Sequence, residues 1–150
     1  MLTVYIKNDC TGRLMSQLFK ENLFDTFEIR SVSVSHFVKF DIDGTLLRKE
    51  PGTDGRRFAL WAELKPYIFS FIKGKIKPKQ IKIVFSMPRD SLRAIAPNAA
   101  TAFINMEYEN DEIRFVTATS QREFSLNKEN DIIWDKYISD FFTRNGIDIE

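Results

Sequence analysis

The chain has 150 residues, of which 43% are hydrophobic, with 14 Phe and two Trp, so it carries enough apolar mass to bury a core without covalent staples. Its single cysteine, Cys10, excludes an intramolecular disulfide and a Cys-rich zinc site. The formal net charge of +1 hides a polarity: Leu46 to Arg93 holds twelve Lys/Arg against four Asp/Glu, and Glu107 to Glu150 five against eleven. Such a separation suits attraction of an acidic partner or nucleic acid, or simply keeps the chain in solution.

Met1 to Asp9 has no basic stretch followed by a long apolar one, so no signal peptide is expected. The longest apolar run, Tyr67 to Ile72, is too short to cross a bilayer, and a cytoplasmic location follows by elimination. Leu2 to Lys7 alternates weakly and reads as a strand. Asn8, Asp9 and Thr11 offer caps for a helix whose apolar face is Leu14, Met15, Leu18, Phe19 and Leu23. From Glu28 to Ile42 the alternation is strict: Val32, Val34, His36, Val38, Phe40 and Ile42 share one face, with serines, Phe37, Lys39, Asp41 and Asp43 on the other. One apolar and one polar face belong to a half-solvated antiparallel sheet. Asp43-Gly44 then reads as a turn.

A polar loop spans Arg48 to Arg57. Trp61, Leu64, Ile68 and Phe71 predict a helix that Pro66 kinks or restarts and Gly74 stops. Ile81, Ile83, Phe85 and Met87 predict a strand, and Pro88 to Ala96 a short helix. Thr101 to Tyr108 and Ile113 to Thr119 read as a hairpin through Glu109-Asn110-Asp111-Glu112, with a further strand at Gln121 to Leu126. A last helix, capped by Asn127, carries a stripe of Trp134, either Tyr137 or Ile138, and Phe141, and ends at Asn145-Gly146. Both aromatic stripes, around Trp61 and Trp134, read as core.

The order β-α-β(β)-α-β-α-β-β-(β)-α predicts one α+β domain over residues 1–150, mainly an antiparallel sheet with about four helices. Residues 2–47 and 79–126 share a β-α-β-β order, which suggests a duplicated unit like that of sliding-clamp domains, by fold analogy alone.

Phe40-Asp41-Ile42-Asp43-Gly44-Thr45 resembles the first motif of haloacid-dehalogenase-type phosphatases. The resemblance implies Asp41 as nucleophile, Asp43 as acid and base, Mg²⁺ as cofactor, and Ile83-Val84-Phe85-Ser86 as the second motif. That motif ends a parallel strand buried on both faces, whereas this strand has a polar face, and the late acids Asp135 and Asp140 fall in a helix. The turn is therefore the preferred reading, with no catalytic residue and no metal site assigned.

Ile42-Asp43-Gly44, Leu60-Trp61-Ala62-Glu63-Leu64-Lys65-Pro66, Phe71-Ile72-Lys73-Gly74-Lys75, Ala118-Thr119-Ser120 with Phe124, Trp134-Asp135 and Asn145-Gly146-Ile147 resemble, in that order along the chain, an uncharacterised family of small bacterial proteins, a domain of unknown function. The resemblance implies Ile42-Asp43-Gly44 as its constant feature and Asp41 as incidental; it implies no activity.

His36, the only histidine, sits in the apolar pattern and reads as a satisfied core residue rather than a base. Cys10 reads as an idle thiol, and no glycine-rich phosphate loop occurs. The densest cationic run contains Lys73, Lys75, Lys77, Lys79 and Lys82; alternation on an extended segment would set the ammonium groups on one side. The sequence thus predicts a non-enzymatic binding or scaffolding module that engages an acidic protein or nucleic acid through these lysines, needs no cofactor, and leaves a homo-oligomer open. The alternative is the Mg²⁺-dependent phosphatase.

Overall fold

The period-two segments come together as one six-stranded sheet, and the helices collect on one of its faces. The structure, a computed structural model, describes residues 1–48, 55–122 and 128–149. In chain order the elements are β1 (Thr3–Tyr5), a 3-10 turn (Asn8–Cys10), α1 (Thr11–Phe19), β2 (Glu28–Ser35), β3 (Lys39–Asp43) and α2 (Trp61–Ile72). There follow β4 (Gln80–Ser86), α3 (Arg89–Ile95), β5 (Ala99–Glu109), β6 (Glu112–Gln121) and α4 (Glu129–Arg144). The sheet order is β1-β6-β5-β4-β2-β3, and every pairing is antiparallel. The predicted α+β class with a mainly antiparallel sheet is what forms.

The strict alternation from Glu28 to Ile42 is a hairpin rather than one long strand: β2 turns at His36-Phe37-Val38 into β3. The register pairs Val32 with Ile42 and Val34 with Phe40, so the two numbers always sum to an even total. A hairpin with that parity keeps even-numbered residues on one face, which is why the periodicity cannot reveal the fold-back. His36 and Val38 therefore leave the core face for the turn. His36 is only half-buried, its Nδ1 accepting from the Phe37 N–H at 2.8 Å and its Nε2–H donating to the Ile76 carbonyl at 3.0 Å. It is satisfied, as expected, but as a clasp between two loops.

The core lies between the sheet and the helices. Phe24, Phe27, Phe85, Phe115, Phe141 and Phe142 form its aromatic centre, with Phe24 stacked on Phe85 at 5.4 Å. Trp61 and Trp134 are fully buried, and their indole N–H groups donate to the Leu18 and Phe103 carbonyls at 2.6 and 3.0 Å. Each buried indole thus has its donor satisfied, as a low-dielectric core requires. α4 is fixed to β6 by a polar seam, in which Thr117 and Thr119 donate to Asp135 and Asp131. Those acids hold a helix in place.

Several expectations need correction. The strand-helix-strand-strand order does occur twice, but β1 sits beside β6 at the far edge from β2 and β3, while β4, β5 and β6 are contiguous. The two halves pair differently, so the sheet has no internal repeat. α1 has no side-chain cap from Asn8, Asp9 or Thr11; the 3-10 turn leads straight into it. α2 runs unbroken through Pro66, which falls in its second turn. The expected cap Asn127 and most of Gln121 to Leu126 lie outside the described residues.

Candidate binding surface

β3 closes the sheet at one edge, antiparallel, with Lys39, Asp41 and Asp43 exposed on one side and Phe40 and Ile42 half-buried on the other. Asp41 lies 4.0 Å from Lys39, both well exposed. The Asp43 carboxylate accepts the Thr45 N–H at 2.8 Å, and hydrogen bonding from the Thr45 side chain first, then from its N–H, holds its pKa below the usual value. This is an Asx turn, the local job that short acids perform at strand ends. Gly44 follows because the backbone is crowded: an added Cβ would lie 1.8 Å from the Ile29 carbonyl oxygen. Among the described residues no group of three or more His, Cys, Asp or Glu is placed to hold a metal. An edge strand with both acids in solvent is the reverse of the central, parallel, doubly buried strand that the phosphatase motif requires. Ser86, the candidate second-motif serine, is buried and accepts from Arg30 Nε at 3.1 Å.

The lysine segment is not the extended run foreseen. Gly74 adopts φ +132°, which only glycine takes readily, and the chain bends through residues 74–76. The five lysines therefore do not lie along one extended strand, and all are exposed. Lys82 belongs to β4 and stands beside Glu107 on the sheet face away from the helices. Burial alone would raise the Glu107 pKa, but Arg114 at 2.5 Å and the nearby Lys82 bring it below the usual value. Lys77 is neutralised by Asp111 at 3.0 Å, and Tyr108 donates to the same carboxylate. That trio lines a cavity of about 610 Å³ bounded by the start of α1, the end of α2 and the β5–β6 turn. Asn110 and Asp111 turn that hairpin with φ of 54° and 61°.

Lys73, Lys75 and Lys79 remain, and none forms an ion pair among the described residues. The fold sets them beside apolar groups that sequence reasoning left apart. The clasp from His36 to Ile76, with the Lys79 N–H donating to the Ser35 carbonyl at 2.8 Å, brings the β2–β3 turn against the lysine loop. Phe37 is 80% exposed and Ile76 74%, so the two joined loops that carry Lys73, Lys75 and Lys79 also expose two large apolar side chains. The sequence signal for Phe37 was its place opposite the valines in the alternation; its neighbours across the turn were invisible. Cys10 is buried. No described helix is long and apolar enough to span a membrane.

The family model of a family of unknown function, DUF5721, matches residues 17–150. The chain belongs to that family. Its matched region takes in the Ile42-Asp43-Gly44 turn, the α2 and lysine-loop sequences and the Asn145-Gly146 end of α4, the segments on which the resemblance to an uncharacterised family was drawn. No curated protein and no solved structure matches the chain.

Proposed function

We propose that this DUF5721 member is a binding module whose α2–β4 loop and β2–β3 turn together dock an acidic, partly apolar segment of another protein. The observation behind this reading is the pairing of unpaired Lys73, Lys75 and Lys79 with Phe37 and Ile76, the two tips left 80% and 74% exposed. Lysines alone would suit any polyanion by counterion release. Exposed aliphatic and aromatic tips beside them add apolar contact that a phosphate backbone would not use, which favours a peptide of alternating acidic and apolar residues. The lysines near the end of α2 also sit where the helix dipole favours cations.

The test is fluorescence anisotropy with a labelled peptide of alternating Glu and Phe, beside an oligothymidine strand as the nucleic-acid competitor. Peptide binding at low salt, weakened by added salt and lost in Lys73→Glu/Lys75→Glu/Lys79→Glu and in Phe37→Ser, supports the reading. Absence of peptide binding at low salt sinks it, and preference for oligothymidine turns the surface over to nucleic acid.

A further inference from the structure

A second cationic site lies at the other end of β4, on the sheet face that no described helix covers. The four described helices pack on the side of Phe85, Ile104 and Phe115, and the opposite face presents Lys82, Ser86, Phe103, Asn105 and Arg114. Arg30 reaches this face because of a bulge: Ile29 pairs with Phe85 and Ser31 with Val84, so Arg30 is the extra residue. A bulge re-aims the side chain it inserts. The Arg30 guanidinium lies 3.9 Å from the centroid of Phe58 and 5.2 Å from that of Phe103, and its Nε donates to Ser86 Oγ at 3.1 Å. Two rings and a buried hydroxyl thus hold the fork, and among the described residues Nη1 and Nη2 have no hydrogen-bond acceptor.

Arg57 stands on the same ring, its guanidinium carbon 5.9 Å from the Phe58 centroid. Neither Arg30 nor Arg57 forms an ion pair among the described residues. Arg56 is committed to Glu63 at 2.8 Å. Glu28 is near enough to Arg30, Arg56 and Arg89 to feel them, yet burial pushes its carboxyl pKa up. Burial and the Arg57 charge lower the Arg30 pKa, with Glu28 the only opposing influence. A held Arg30 fork with the exposed Arg57 charge near enough to act on it is an arrangement that a tetrahedral oxyanion relieves, since a guanidinium offers paired N–H groups to paired oxygens.

We propose that Arg30 and Arg57, positioned by Phe58, Phe103 and Ser86, form a binding site for a phosphoryl group on the open face of the sheet. This site is separate from the lysine loop, and its ligand is a small phosphate or phosphomonoester. The probe is inorganic phosphate, titrated by calorimetry at constant ionic strength against the whole chain. The wild type is expected to bind it. Arg57→Gln, a change at an exposed residue, should weaken binding about ten-fold or more with Tm unchanged, as loss of a charge-assisted fork implies. Arg30→Lys should weaken it too, since an ammonium keeps the charge and loses the fork. Lys73→Gln/Lys75→Gln/Lys79→Gln should leave it intact. No heat of binding at millimolar phosphate in the wild type overturns the proposal, and so does binding that survives Arg57→Gln but disappears in the lysine variant.

Discussion

Gly44→Ala tests whether the Asp43-Gly44 step is a packing device. Gly44 does not need glycine's left-handed freedom, since its φ is not among the positive ones, so an alanine meets no strain from its own dihedral. The obstacle is the neighbour. The new methyl would lie 1.8 Å from the Ile29 oxygen and 2.7 Å from its carbonyl carbon, both backbone atoms that no rotamer change can move. Relief requires the two segments to separate, and three hydrogen bonds hold them there. Gly44 N–H donates to Arg30 at 3.0 Å, Ala59 N–H to Gly44 at 2.8 Å, and Ile29 N–H to Ala59 at 2.8 Å. Overpacking costs about 1–3 kcal/mol and each of the three weakened bonds about 1 kcal/mol, so the substitution should cost roughly 4–6 kcal/mol. Against a total stability of about 5–15 kcal/mol that is a large fraction, readable as a drop in the urea midpoint with little change in slope. Gly12→Ala is the internal control: it lies in α1 with no atom within 4 Å of the added Cβ and should stabilise by about 0.5–1 kcal/mol. A Gly44→Ala loss below about 1 kcal/mol would refute the close-approach argument.

Two further outcomes follow from the same geometry. Glu63 starts α2, accepting the Leu60 N–H at 2.8 Å, and its carboxyl is held below the ordinary 4.5 chiefly by the hydrogen bond from Arg56. Because the folded pKa is depressed, this stabilisation is present above the unfolded value and is lost as pH falls through the folded one. Glu63 is 45% exposed, so Glu63→Gln should cost only on the order of 1 kcal/mol at neutral pH, with wild type and variant converging in parallel urea titrations as pH falls through the depressed folded pKa. A gap that stays constant with pH would contradict the assignment. At the sheet edge, the hydrogen-bonded pairs Gly44–Arg30 and Val38–His36 mark the register, so the N–H and C=O groups of Lys39, Asp41 and Asp43 point outward. Lys39→Thr/Asp41→Val should therefore raise concentration-dependent self-association in sedimentation velocity, and an unchanged profile would show that these charges do not guard the edge.

The strands and helices were legible because apolar spacing is a local property. Ile81, Ile83 and Phe85 on β4, the Trp61 stripe on α2 and the Trp134 stripe on α4 all point inward as their spacing requires. What spacing does not encode is where a chain doubles back with its parity kept, as at His36-Phe37-Val38, or which strand a distant strand will join, as β1 joins β6. The β1 case also explains the false duplication: two stretches with one element order can pair in two ways, because long-range partner choice is settled by the whole core.

Cationic sites divide along the same line. Lysines that follow one another in sequence announce themselves, yet the fold discharges Lys77 onto Asp111 and sends Lys82 to the sheet, so density along the chain overstates the usable charge. Arg30 and Arg57 are separated by an entire hairpin, and each alone looks like an ordinary surface cation. They meet at Phe58 through a one-residue bulge in β2 and a backbone bridge from Thr45 to Phe58. Both causes are backbone events, and neither leaves a compositional trace. The acidic phrase misleads for the converse reason. Asp41 and Asp43 are adjacent in a familiar order, but alternation along β3 turns both to solvent, where one borders Lys39 and the other closes a turn. Chemistry depends on which side chains the fold brings together, and here the cations that share a ring, Phe58, are the two arginines.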